Sequence, residues 1–214
     1  MNELKLMPFG PLLAKTEVST EELELLREYS KHTKENINDQ LAGCCEHQLS
    51  FEDEYNKKIF DIFKPRINEY LKSFGVLKYE TNYEFTFEDD SLWIVNQKAG
   101  EFNPMHSHSS DISFVVYLDI PNEIYGEGRT TPAIPAGAIE FVYGKDMQGY
   151  IMEHFLNPIN SYIHVPQNGD MFIFPSMLNH HVNRFKSDVV RKSLAGNARI
   201  TNIVPVNLLN NPML

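Results

Sequence analysis

Residues 103–118, "NPMHSHSSDISFVVYL", set two histidines one residue apart, follow them with an aspartate and run directly into an apolar, β-branched and aromatic segment. That segment reads as a strand. Side chains on an extended chain alternate between faces, so His106 and His108 point the same way, and after a brief turn Asp111 can swing back toward them. A further candidate lies in "GDMFIFPSMLNHHVNRF", residues 169–185, where His180 and His181 follow another strand. Only one of these neighbours can face the interior. An i, i+2 pair joined by a distant histidine on an adjacent strand is how a β-barrel assembles a metal site with open positions. Neutral imidazoles with a carboxylate suit iron(II) better than a closed structural zinc site. His32, His47, His154 and His164 stand alone and read as ordinary polar or packed residues.

Outward from this stretch, the chain from about residue 79 continues as short alternating or apolar runs: "YETNYEFTFE", "SLWIVNQKA", "ISFVVYLDI", "AIEFVYG", "SYIHVP", "DMFIFPS", "VNRF" and "VVRKSLAGNARIT". Turn signals such as "FEDD", "PNEIYGEG", "AIPAG" and "PQNGD" separate them. Strands without intervening helical patterns predict an antiparallel barrel or jelly roll rather than a parallel sheet. The first third reads differently. Ser19 with Glu22 forms a capping-box pattern ahead of Leu23, Leu26 and Tyr29, predicting a helix over about 20–34. Ser50 and Asp53 repeat the device before an apolar stripe from Tyr55 to Leu71 that contains Pro65 and ends at Gly75. The expected organisation is a helical supporting layer over 1–78 packed on a β core over 79–214, as one integrated domain.

Composition narrows the function classes. The chain has 214 residues, 42% of them hydrophobic, which is enough to bury a substantial core. A formal net charge of -10, from 19 Lys+Arg against 29 Asp+Glu, argues against a partner held by its phosphate backbone. The opening "MNELKLMPFGPLLAK" lacks the basic start and apolar core of a secretory leader, and no window has the run of apolar residues needed to span a membrane. The expected location is the cytoplasm. Cys44 and Cys45 are adjacent and read as reduced structural residues.

Taken together, "HSHSSDISFVVYL" and "GDMFIFPSMLNHHVNRFKSDVVRKSLAGN" resemble the iron(II)- and 2-oxoglutarate-dependent oxygenases of the double-stranded β-helix fold, in particular a branch common in marine bacteria and bacteriophages. The resemblance covers roughly residues 80–203. It implies a mainly β chain with N-terminal helices, folded as a jelly roll or cupin-like barrel. It implies Fe(II) and 2-oxoglutarate as cofactors, oxygen as cosubstrate, and hydroxylation of a prime substrate with release of succinate and carbon dioxide. In that branch a short spacer after "FPS" leads to the distal iron ligand, which the resemblance places at His180, with His181 turned away. The same resemblance implies that "RKS", Arg191 and Ser193, binds the far carboxylate of 2-oxoglutarate, and an arginine fork does match a carboxylate. Tyr117 and Asn197 are further candidates for touching the cosubstrate, or hydrogen-bonding residues of the core. Most of the superfamily places an acid two residues after the first histidine, where this chain has His108. The ligand set is therefore His106 and His180 with His108, Asp111 or both. The same two motifs also fit the cupin pattern in part, which would need no 2-oxoglutarate; Arg191-x-Ser193 is what that reading leaves unexplained. A third reading is a metal-free binding or structural protein that retains the barrel. Substrate contacts are expected in residues 125–135 and in the irregular stretch 144–160.

Overall fold

A computed structural model of the chain describes residues 10–79, 82–128, 135–144 and 160–206. In chain order they form β1 (Ala14–Glu17), α1 (Thr20–Tyr29), β2 (Thr33–Asn36), β3 (Gln48–Phe51), α2 (Asp53–Tyr79), β4 (Tyr83–Gln97), β5 (Asn103–His106), β6 (Ile112–Asp119), α3 (Asn122–Gly126), β7 (Ile139–Val142), β8 (Ser161–His164), β9 (Asp170–Pro175), β10 (Asn179–Val182) and β11 (Arg191–Pro205). The strands make two antiparallel sheets, a seven-stranded one ordered β1-β9-β6-β11-β4-β3-β2 and a four-stranded one ordered β5-β10-β7-β8. The chain is thus mainly β with N-terminal helices. Of the expected antiparallel barrel or jelly roll, a closed barrel is not formed: the described strands make two sheets with no hydrogen-bonded pair joining them.

The helices start where their caps dictate. Ser19 Oγ accepts from the Glu22 amide and Glu22 Oε2 from the Ser19 amide, which closes the capping box. Beyond Tyr29 the chain leaves the predicted helix, because residues 33–36 find a strand partner in β3. Backbone pairing there outweighs local helical spacing. α2 runs through Pro65 and past the expected stop at Gly75 to Tyr79. Its Ile59, Phe60, Phe63, Ile67, Tyr70 and Leu71 are buried against Phe87, Leu92, Ile94, Phe114, Val116 and Leu194 of the large sheet.

Two other departures have equally local causes. "FEDD" is not a turn: Phe87–Asp90 lie inside β4, and the register with β11 shifts between Ser91 opposite Asn197 and Asp89 opposite Ala198. Asp90 is the extra residue of a β-bulge, so polar residues that resembled a turn sit on an exposed, locally irregular edge of a continuous strand. The strand expected at "VNRF" begins earlier, at Asn179, and carries His180 and His181.

The large sheet is covered on both faces, by the helices on one side and the small sheet on the other. That is why "ISFVVYL" is apolar almost throughout. Phe114, Val116 and Leu118 face the helices, while Tyr117 joins Ile139, Phe141, Phe172, Phe174 and Val182 between the sheets. Leu92 and Phe114 lean over Gly196 from the strands on either side; a Cβ there would come within 2.4 Å of Leu92 and 2.6 Å of Phe114. Gly196→Ala is expected to destabilise the fold by about 1–3 kcal/mol through overpacking, measured as a lower urea midpoint at unchanged slope. An unchanged midpoint would mean that the strands part at no cost.

Candidate active site

Strand alternation builds the floor of the site. On the small-sheet face of the large sheet, β4 presents Trp93, Val95 and Gln97, β6 presents Ser113, Val115 and Tyr117, and β11 presents Arg191, Ser193 and Ala195. Register aligns them: Arg191 stands opposite Gln97, and Ser193 opposite both Val95 and Tyr117. The small sheet supplies the opposing wall, with His106 and His180 directly opposite one another on β5 and β10. These residues, with His108, Asn103, Ile139, Phe174 and Val182, line one cavity between the sheets.

The three histidines are gathered at the cavity wall. One ring nitrogen from each of His106, His108 and His180 lies within 4.8 Å of the others, and the ring centroids are 4.3–5.2 Å apart. His106 Nδ1 is 2.7 Å from the Pro104 carbonyl and His180 Nδ1 is 2.9 Å from the Leu178 carbonyl. A carbonyl only accepts, so both Nδ1 atoms carry the proton and both Nε2 lone pairs are left for a metal. Burial lowers the pKa of His106, lowers that of His108 to about 4, and lowers that of His180 to about 3, where neighbouring His106 adds to the effect. Near neutral pH the cluster offers three uncharged imidazole donors. The set fits a divalent transition metal with coordination positions left open.

The remaining predicted residues divide. Arg191 is 2% exposed, and its guanidinium lies 4.9 Å from the centre of the Tyr117 ring. Nη1 donates to Gln97 Oε1 at 3.0 Å, whereas Nε and Nη2 have no hydrogen-bond partner among the described residues, nor does the Tyr117 hydroxyl. Burial pushes the Tyr117 phenol up to about 12, so it stays a donor. A buried guanidinium with unmet N–H groups is expensive unless an anion meets it, which is what a cosubstrate carboxylate would do. Ser193 lines the cavity beside it. Asn197 does not: its Oδ1 accepts from Ser113 Oγ and its Nδ2 donates to Ser91 Oγ, making it part of a buried polar network on the same face of the sheet, beside the cavity. Asp111 stands outside the cluster, exposed, with Oδ2 accepting from the Ile200 amide at 2.8 Å. His181 turns to the opposite face of β10, with Nε2 3.5 Å from Glu140. His32 stacks on Tyr55, His47 approaches Lys98, and His164 meets Asp170. His154, residues 129–134 and residues 145–159, where substrate contacts were expected, lie outside the described residues.

Gln97, Trp93, Asn103 and Ser113 are cavity residues that sequence reasoning passed over. The alternation in "SLWIVNQ" held the signal for the first two, but it becomes decisive only once Leu92 and Ile94 are known to face the helices.

The family model described as "Putative 2OG-Fe(II) oxygenase" matches residues 91–197. This chain belongs to that oxygenase family. Its matched segment contains every histidine of the cluster together with Arg191 and Ser193. No curated protein matches the oxygenase. Among solved structures it is similar to an oxidoreductase of the 2OG-Fe(II) oxygenase family from Burkholderia pseudomallei, at TM-score 0.54 and 13% identity over 89% of this chain and 85% of that one. It is also similar to the viral collagen prolyl hydroxylase of Paramecium Bursaria Chlorella virus-1, at TM-score 0.52 and 14% identity over 94% and 99%. A third similar structure is iron-bound HygX from Streptomyces hygroscopicus, at TM-score 0.50 and 11% identity over 90% and 82%. At these identities the likeness is one of fold. Among the described residues no helix is long and apolar enough to cross a membrane.

The lowered histidine pKa values give the metal-free protein a definite pH response. An unfolded imidazole titrates near 6.5, well above the folded values for His108 and His180, so the unfolded chain takes up protons first as pH falls. Their contribution is fully present above about 6.5 and is lost progressively toward about 3. Melting temperature is expected to fall between pH 7 and pH 4.5, and less steeply in His180→Gln; equal slopes in both proteins would remove these histidines as the cause.

Proposed function

We propose that the oxygenase holds iron(II) through His106, His108 and His180 and binds 2-oxoglutarate with its distal carboxylate on Arg191 and Ser193, hydroxylating its prime substrate. The observation that carries the ligand assignment is the open Nε and Nη2 edge of buried Arg191 in the same cavity as the three imidazoles. Bound there, iron and the keto-acid supply the oxidising chemistry, with oxygen consumed and succinate and carbon dioxide released.

The chain's own part is binding, orientation and exclusion of water. His106 and His180 present Nε2 because the backbone holds their Nδ1 protons. Trp93, Val95, Ile139, Phe174 and Val182 surround the cluster with apolar surface. Arg191 sets which end of the diacid lies deepest, and the Tyr117 hydroxyl is free to donate to the same carboxylate. The two facing antiparallel sheets support a jelly-roll reading of the fold. Asp111 is committed to a backbone amide, which supports His108 as the third ligand. A cupin site without 2-oxoglutarate gives no role to the buried cation, and the family match runs against both that reading and a metal-free barrel.

The test is an anaerobic titration of the apoprotein with iron(II) and then 2-oxoglutarate, following the visible charge-transfer band of a chelated keto-acid. The band is expected in the wild type, and Arg191→Ala should require about 30-fold or more 2-oxoglutarate while binding iron normally. Unchanged cosubstrate affinity in that variant would overturn the assignment. For the third ligand, His108→Ala is expected to weaken metal binding by more than about 100-fold and Asp111→Asn to leave it unaltered; the reverse pattern would restore Asp111 to the metal.

A further inference from the structure

Gln97 ends β4 and is 1% exposed, yet its amide is fully committed. Nε2 donates to the Glu101 carbonyl at 2.7 Å and to the Asn183 carbonyl at 3.2 Å, and Oε1 accepts from Arg191 Nη1 at 3.0 Å. The amide cannot be turned round: a flip would set Oε1 against two carbonyl oxygens and the NH2 group against a guanidinium, opposing like to like at every contact. The backbone therefore dictates which way Oε1 points, and Oε1 in turn dictates the rotation of the guanidinium plane.

The three partners come from the parts that must be held together. Glu101 lies just before β5, which ends in His106; Asn183 follows β10, which carries His180; Arg191 opens β11. One side chain thus ties the ends of both strands bearing paired histidines to the buried cation. With Nη1 engaged by Gln97, the guanidinium nitrogens left with no hydrogen-bond partner among the described residues are Nε and Nη2. These two share one edge of the guanidinium, the edge that gives a carboxylate two parallel hydrogen bonds. The Tyr117 ring beside Arg191 restricts the plane further.

We propose that Gln97 is a positioning residue for the cosubstrate: it turns the Nε and Nη2 edge of Arg191 into the cavity and ties that anchor to the ends of the strands carrying His106 and His180. The inference rests on the 2-oxoglutarate reading given above. It goes beyond it by assigning the orientation of the anchor, and with it the strength of diacid binding, to a neutral residue that itself touches neither cosubstrate nor metal.

The experiment is a double-mutant cycle on the iron-loaded, anaerobic protein, with 2-oxoglutarate as the titrant in calorimetry and iron(II) affinity measured separately. Gln97→Met keeps the length of the side chain and removes its hydrogen bonds. It is expected to raise the 2-oxoglutarate Kd by about 10–100-fold, the effect of losing a hydrogen bond to a charged group, with iron affinity unchanged. In an Arg191→Ala background the same change should cost nothing further, because the group it orients is gone. A merely structural role would instead make the two losses add, and additivity overturns the proposal. So does an unaltered Kd in Gln97→Met alone. Normal 2-oxoglutarate binding by Arg191→Ala overturns the underlying reading as well, which separates the two failures. Should Gln97→Met not fold, Gln97→Glu preserves shape while setting one carboxylate oxygen against the Glu101 and Asn183 carbonyls and a negative charge beside the anchor. It too is expected to weaken 2-oxoglutarate binding, and wild-type affinity in that variant overturns the proposal.

Discussion

Backbone pairing along β11 is the constraint on which the rest of the oxygenase depends. This strand hydrogen-bonds to β4 on one side and β6 on the other, and the two registers together decide which residues look toward the helices and which toward the small sheet. Side chains alternate with a period of two, so a slip of one residue would send Leu194 into the cavity and Arg191 under α2. Several devices oppose such a slip. Gly196 fits only where Leu92 and Phe114 close over it, and the bulge at Asp90 absorbs a mismatch in strand length without disturbing the pairs nearer the site.

On that floor the site is assembled electrostatically as much as sterically. None of the described residues lining the cavity is acidic, and its one permanent charge is Arg191. Desolvation keeps the imidazoles neutral, and part of the guanidinium faces the cavity without a protein partner, so the cavity favours occupants that bring a cation to one end and an anion to the other. Such a polarity matches a divalent metal followed by a dicarboxylate.

Much of this was legible in the sequence. His106 and His108 could be set on one face from strand alternation, whereas the choice of His180 over His181, like the singling out of Arg191 with Ser193, rested on the family resemblance. The helix starts were legible because caps are local chemistry. Less legible were features that depend on a remote partner. Residues 33–36 look like the end of a helix until β3 is there to pair with them, and "FEDD" looks like a turn until a long antiparallel neighbour keeps it extended. Asp111 and Asn197 were plausible site residues by type and position, but a backbone amide holds one and a buried serine network the other. Gln97 carried no mark at all, since its significance lies in three contacts that only the fold brings together.

The order of the large sheet has a consequence for how the oxygenase comes to be folded. Its two edge strands, β1 and β2, both come from the first part of the chain, while the strands between them include β9 and β11 from the far end. β1 pairs Ala14 with Ile173, so one margin of the sheet closes only once the chain has been made as far as β9. A connection this remote in sequence makes folding slow, and until it forms the margin of β9 is exposed to pairing with other chains. The N-terminal segment therefore serves as a late seal. During synthesis β1 emerges well before its partner β9, and in that interval the nascent protein is open to aggregation.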